Sequence, residues 1–215
     1  MKKYEYGSSR ADVVLIQLVD DHDMAVIESE VAAIRAMAGD IFRLIALKVD
    51  NWNDDLSPWQ APPVFGDTAF GGGAEKTLES VLKETADRTK TYYIGGYSLA
   101  ALFALWAAYQ TDVFAGVAAA SPSVWFPGFI PYMKEHEIRT RRVYLSLGDR
   151  EEKTRNPVMA TVGDCIREGY EWLREKDIPC VLEWNRGNHF KEPDLRTAKG
   201  FAWVVGELVS SNGQE

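Results

Sequence analysis

Thr-Tyr-Tyr-Ile-Gly-Gly-Tyr-Ser-Leu-Ala-Ala-Leu-Phe-Ala-Leu-Trp-Ala-Ala-Tyr, running from Thr91 to Tyr109, decides how the rest of the chain is read. An apolar, aromatic, β-prone run (Tyr92, Tyr93, Ile94) meets Gly95 and Gly96. From Leu99 the sequence becomes Ala and Leu, strong helix formers, with neither Gly nor Pro before Tyr109. A strand that ends in Gly-X-Ser-X-small and passes directly into a helix is the pattern of a nucleophile elbow. The turn is tight enough that the residues two before and two after the serine must be small. Gly96 and Ala100 meet that demand, although glycine is the commoner residue at the second place. Ser98 is then expected at the carboxyl edge of a sheet, with the Leu99 N–H at a helix N-terminus facing any oxyanion formed there. A strand–helix corner whose serine merely caps the helix fits the same five residues. The assignment therefore turns on a histidine and an acid, in order, each following its own strand.

The composition is that of an ordinary globular chain: 215 residues, 46% hydrophobic and 26% charged. That length suits one α/β domain over residues 1–215. The formal charge of −8 argues against a nucleic-acid partner. No long apolar run suggests a membrane span, and Met1-Lys-Lys-Tyr-Glu-Tyr-Gly7 has no apolar segment behind its lysines, so a cytoplasmic protein without a signal peptide is expected. The cysteines, Cys165 and Cys180, lack metal-like spacing and read as free thiols. Neither metal nor cofactor is implied, and the sequence is silent on oligomeric state.

Asp12–Val19 is nearly continuous in apolar residues, the mark of a strand buried on both faces. It ends in Asp20-Asp21-His22-Asp23. Met24, Ile27, Val31, Ile34 and Met37 then fall at helical spacing, and Gly39 stops the helix. Ile41–Val49 reads as a second strand. Asp50–Gly73, with Pro58, Pro62, Pro63, Trp52 and Trp59, lacks periodicity and reads as a long functional loop. Helix is expected over Lys76–Thr85, Pro157–Lys176 and Thr197–Val209, and strand over Phe114–Ala120, Arg142–Leu147 and Pro179–Trp184. Strands alternating with helices imply a mostly parallel sheet with helices on both faces.

Ligands bind such a sheet at the carboxyl ends of its strands. The unusual polar clusters sit at those ends. His189 follows the last strand through Gly187-Asn188 and lies downstream of the elbow, which makes it the expected general base. His22 sits among aspartates at a helix start, and His136, in Lys-Glu-His-Glu, reads as solvated. The acid must lie between serine and histidine in the chain, and the loop after Leu147 offers Asp149, Glu151 and Glu152. It would accept from the distal N–H of the histidine and so fix its tautomer.

Several stretches besides the elbow resemble the enterochelin-esterase and esterase D-like branch of the α/β-hydrolase superfamily. Gly95-Gly96-Tyr97-Ser98-Leu99 is similar to its elbow, and Ser121-Pro-Ser-Val-Trp125 to the loop after its next strand. Asp54-Asp55-Leu56-Ser57-Pro58 resembles its Arg-X-X-Asp-Leu-Thr-Pro loop without the arginine. Gly71-Gly72-Gly73-Ala74 and Gly187-Asn188-His189-Phe190 also resemble it, so the likeness spans Val13–Phe190. It implies an α/β-hydrolase fold without a large cap domain, with the family's N-terminal strands trimmed.

The family's Gly-X-X-acid spacing, counted from Gly148, places Glu151 first as the acid and Asp149 second. The resemblance implies a serine esterase acting through an acyl-enzyme on a short-acyl, aryl or siderophore-like ester. Ser98, His189 and Glu151 would form the triad. Leu99 and a second amide near Asp21 would hold the oxyanion, and Trp52, Trp59 and Trp125 would frame an open site. A thioesterase or acyltransferase would use the same residues, and a non-catalytic binding protein would keep them as relics.

Overall fold

The computed structural model describes residues 1–211, so the last four residues of the domain read over 1–215 lie outside the described part. In chain order the elements are β1 (Lys2–Gly7), β2 (Val13–Val19), α1 (Asp21–Ala38), β3 (Phe42–Lys48), α2 (Trp52–Asp55), β4 (Gln60–Ala61), β5 (Phe70–Gly71) and α3 (Ala74–Lys83). There follow β6 (Thr91–Tyr97), α4 (Leu99–Gln110), β7 (Phe114–Ala120), α5 (Phe129–Glu135), β8 (Val143–Gly148), α6 (Val162–Glu175), β9 (Cys180–Asn185) and α7 (Pro193–Ser211). Seven strands form one sheet in the order β1-β3-β2-β6-β7-β8-β9. All pair in parallel except β1, which runs antiparallel to β3.

The apolar runs explain the centre of this sheet. Every residue of β2 is buried, as a strand covered on both faces requires. α1 and α7 cover one face with Ile27, Val31, Ile34, Phe201 and Val204. α3, α4, α5 and α6 cover the other with Leu78, Phe103, Phe129 and Ile166. α4 is buried from Leu99 through Tyr109, which is why it is apolar all round instead of striped. The elbow strand β6 sits between β2 and β7, so the serine emerges near the middle of the sheet's carboxyl edge.

Two readings of the sequence are corrected, and one helix that it did not indicate, α5, is added. The N-terminal strands are not wholly trimmed, because Lys2–Gly7 forms the edge strand β1, in register Lys3↔Leu47 and Glu5↔Ile45. Its Tyr4 and Tyr6 pack on the α1/α7 core, while Glu5 pairs with Arg43 at 2.6 Å. Half its side chains face water, and a short alternating stretch opening on Lys2-Lys3 carries little apolar signal. Asp50–Gly73 is not bare loop, since it folds into α2 and the β4/β5 ladder. α5 follows the Ser-Pro loop at Gly128, whose φ of 83° suits glycine.

Candidate active site

Ser98 stands between β6 and α4 with φ 57° and ψ −119°. A serine at positive φ is strained by about 1–3 kcal/mol and persists because its surroundings hold it. Its N–H donates to the Ala120 carbonyl at 3.2 Å, and its carbonyl accepts from Leu102 and Ser123, each at 3.1 Å. A Cβ on Gly96 would lie 2.8 Å from that of Ala100, so the two small residues demanded by the elbow press directly on each other.

The loop after β9 carries His189 to the serine, with Nε2 3.0 Å from Ser98 Oγ. A 3₁₀ turn, Glu151–Lys153, begins after β8 and aims Glu151 Oε2 at His189 Nδ1 over 2.6 Å. The other carboxylate oxygen, Oε1, accepts from the Gly148 N–H at 2.7 Å, Ser121 Oγ at 2.8 Å and Arg196 Nη1 at 2.8 Å. Burial pushes the Glu151 carboxyl up, but hydrogen bonds from His189, Gly148 and Ser121 outweigh it and hold the group below its ordinary value. Glu151 is therefore an anion at neutral pH, with one oxygen saturated and the other facing the imidazole.

The remaining acids of that loop do other work. Asp149 is exposed, and its Oδ1 accepts the Gly187 N–H at 2.8 Å, which keeps its carboxyl low and staples the β8 and β9 loops together. Glu152 pairs with Arg167 at 3.1 Å.

Two helix starts lie at the same edge of the sheet. Leu99 opens α4 and Asp21 opens α1, and first-turn N–H groups have no partner within their own helix. The Asp21 carboxylate itself points to solvent and pairs with Lys48. Asp20, His22 and Asp23 line the cleft at this end, held by a capping box in which Asp20 Oδ1 accepts from the His22 and Asp23 amides at 2.7 and 2.9 Å.

Ser98, His189 and Phe190 are shared by two lobes of one cleft. The first, ≈ 340 Å³, is walled by Phe65, Trp125, Met159 and Val162. The second, ≈ 360 Å³, is walled by Asp20, His22, Asp23, Trp52 and Pro193. Trp52 and Trp125 thus stand at the site, one in each lobe. Trp59 does not, contrary to the sequence reading: its Nε1 donates to the Pro127 carbonyl at 2.9 Å, and its ring packs on Phe126 and Tyr132 at 5.6 and 5.3 Å. His136 lies away from the cleft, stacked on Tyr132 at 4.0 Å.

Sequence reasoning missed Phe65, Met159 and Phe190, the last 86% exposed at the mouth of both lobes. It also missed Tyr97, whose OH donates to the His189 carbonyl at 2.7 Å, and Arg196. An aromatic beside the nucleophile and one beside the base were visible signals; nothing in the spacing marked Arg196 as buried. Among the described residues no His/Cys/Asp/Glu group could hold a metal ion, and no helix is long and apolar enough to cross a membrane.

No protein-family model matches the sequence, nor does any curated protein. Solved structures do match in shape. An IroE-like serine hydrolase from Shewanella oneidensis superposes with a TM-score of 0.71 at 12% identity, over 90% of this chain and 70% of that one. The siderophore hydrolase EstA from Aspergillus nidulans does so with 0.62 at 19% identity, over 100% and 95%. The enterobactin esterase FES from Shigella flexneri gives 0.64 at 17%, over 96% of this chain and 55% of that one. At these identities the likeness speaks for the fold.

Proposed function

We propose that this chain, with its α/β-hydrolase fold, is a serine carboxylic ester hydrolase working through an acyl-enzyme. The observation that carries the reading is the continuous relay from Ser98 Oγ to His189 Nε2, at 3.0 Å, and from His189 Nδ1 to Glu151 Oε2, at 2.6 Å. Both spans lie within the reach that proton transfer needs.

In this mechanism His189 Nε2 takes the Ser98 proton as Oγ bonds to the ester carbonyl carbon. The Leu99 and Asp21 amides hold the resulting oxyanion. Collapse breaks the bond to the alcohol oxygen, which leaves with the proton from His189. A water then attacks the acyl-enzyme, giving its proton to His189, and Ser98 regains it as the carboxylic acid departs. Glu151 stays ionised throughout and stabilises the imidazolium. The apolar walls of the Trp125 lobe suit an acyl or aryl group, and the neighbours' names point to siderophore-like esters as the first compounds to try. The second lobe would take the other half of the ester.

The test is a fluorophosphonate probe with p-nitrophenyl esters and thioesters of graded acyl length. Ser98 should be labelled, Ser98→Ala should abolish labelling and turnover, and His189→Ala should reduce both by orders of magnitude. Labelling at another serine would sink the assignment. Thioester turnover far above ester turnover would move the reading to a thioesterase.

A further inference from the structure

Arg196 lies in the first turn of α7 and is 2% exposed. A buried guanidinium is costly unless each polar edge is met. Here Nη1 donates to Glu151 Oε1 at 2.8 Å, Tyr97 Oη at 3.1 Å and Ser121 Oγ at 3.2 Å, and Nη2 donates to the Asn188 carbonyl at 3.1 Å. These partners belong to different parts of the site. Glu151 is the acid, Tyr97 immediately precedes the nucleophile, Ser121 immediately follows β7, and Asn188 immediately precedes the base. Tyr97 closes the circuit by donating to the His189 carbonyl at 2.7 Å. Stability alone is a poor reason for such a group, because a packed apolar side chain commonly does as well. The planar fork of arginine, which addresses several acceptors in fixed directions, is the property used here.

We propose that Arg196 is the positioning residue of this site: it saturates Glu151 Oε1 so that Oε2 alone faces His189, and it ties the acid, the elbow strand and the histidine loop into one frame. The inference rests on the triad reading above. Its cation also draws on the carboxylate from the side opposite His189, which weakens the negative field at the imidazole. The titratable groups that line the second lobe with the base are Asp20, His22 and Asp23; Asp194, on the same helix turn as Arg196, is occupied by Ser29 Oγ at 2.8 Å.

The experiment is the rate of fluorophosphonate labelling at Ser98 against pH, which needs no ester turnover. Arg196→Gln should lower the plateau about 100-fold and move the acid limb up by about one pH unit, because the base then faces an unshared carboxylate. Arg196→Lys keeps the charge without the fork, so the plateau should fall about tenfold with the limb in place. Added to Glu151→Gln, the change Arg196→Met should cost less than threefold more, since with the carboxylate gone the arginine has no acid left to orient and keeps only its ties to the uncharged Tyr97, Ser121 and Asn188. That double variant removes both buried charges together and so decides the matter even if Arg196→Gln does not fold. A lowered plateau with an unmoved limb in Arg196→Gln, wild-type labelling there, or losses that multiply in the double variant would each overturn the proposal. Wild-type protein that labels at Ser98 yet hydrolyses no ester would instead refute the proposed function.

Discussion

Replacing Glu151 by Gln should do more than remove a charge, and the geometry dictates how. Oε1 of Glu151 meets three donors, from Gly148, Ser121 and Arg196, at 2.7, 2.8 and 2.8 Å. An amide NH₂ cannot sit among three donors, so the new carbonyl oxygen must take that place. The NH₂ is then forced towards His189 Nδ1, over what was a 2.6 Å contact. The imidazole can meet that donor only as an acceptor at Nδ1, which puts its proton on Nε2, the atom that must receive the Ser98 proton. Loss of the correct tautomer together with the anion should lower kcat about 10⁴-fold, or roughly 5 kcal/mol of transition-state stabilisation. KM should change little, because the cleft walls stay. The Arg196 cation would lose its counter-ion, a cost of about 3–5 kcal/mol in stability, so a thermal melt must accompany the kinetics. Asp149→Asn is the control: its exposed carboxylate accepts one amide at 2.8 Å, a bond that an Asn oxygen keeps, and activity should stay within about twofold. Steady-state hydrolysis of p-nitrophenyl acetate reads both variants. Folded Glu151→Gln protein within tenfold of wild type, or Asp149→Asn as damaged as Glu151→Gln, would refute the reasoning.

Two further outcomes follow from residues around the triad. Trp59→Ala should lower the melting temperature while sparing kcat/KM, whereas Trp125→Ala should raise KM for apolar esters; the reverse pattern would return Trp59 to the site. Burial, reinforced by the neighbouring charge of Asp20, pushes the Asp23 carboxyl up to about 7. A folded value above the ordinary 3.8 means that the stability linked to its protonated form is complete below about pH 4 and is lost as pH rises through about 7. At the 1.36 kcal/mol that one pKa unit represents, that is about 4 kcal/mol. Asp23→Asn keeps an acceptor for the Asp20 amide, so its melting temperature should fall less than that of wild type between pH 5 and pH 8. Parallel curves for the two proteins would contradict this.

What could be read from the chain divides along physical lines. β2 and the elbow were legible because burial on both faces and a tight turn each force residue types: an unbroken apolar run in one, Gly96 and Ala100 around a serine in the other. β1 was not, because an edge strand with one wet face carries a weak alternation. Trp59 and Trp125 look alike in sequence, both aromatic in loops at the sheet's edge, and only packing separates them. Arg196 follows Asp194 and Leu195 in an ordinary helix start, and a buried arginine has the same one-dimensional signature as a solvated one.

The division has a cause in how the site is held. In the proposed reaction, chemistry dictates the reacting atoms: a serine at the elbow, a histidine after the last strand and an acid between them, so a small set of residue types must appear at known strand ends. The loops that carry them are separate pieces of chain, and nothing local fixes one against another to within a fraction of an ångström. That work falls to cross-links. The Asp149 carboxylate accepts the Gly187 amide, the Arg150 amide donates to the Gly187 carbonyl at 3.1 Å, Tyr97 reaches the His189 carbonyl, and Arg196 reaches Glu151 and Asn188 together. Any donor or acceptor of suitable length could serve in each place, so the sequence carries no fixed pattern for them. The relay of 3.0 and 2.6 Å nonetheless depends on these contacts as much as on the residues that react. Variants at the cross-links should therefore lower kcat as well as stability, and Tyr97 and Arg196, the two that meet each other directly at 3.1 Å, should show the loss in kcat as a coupled pair.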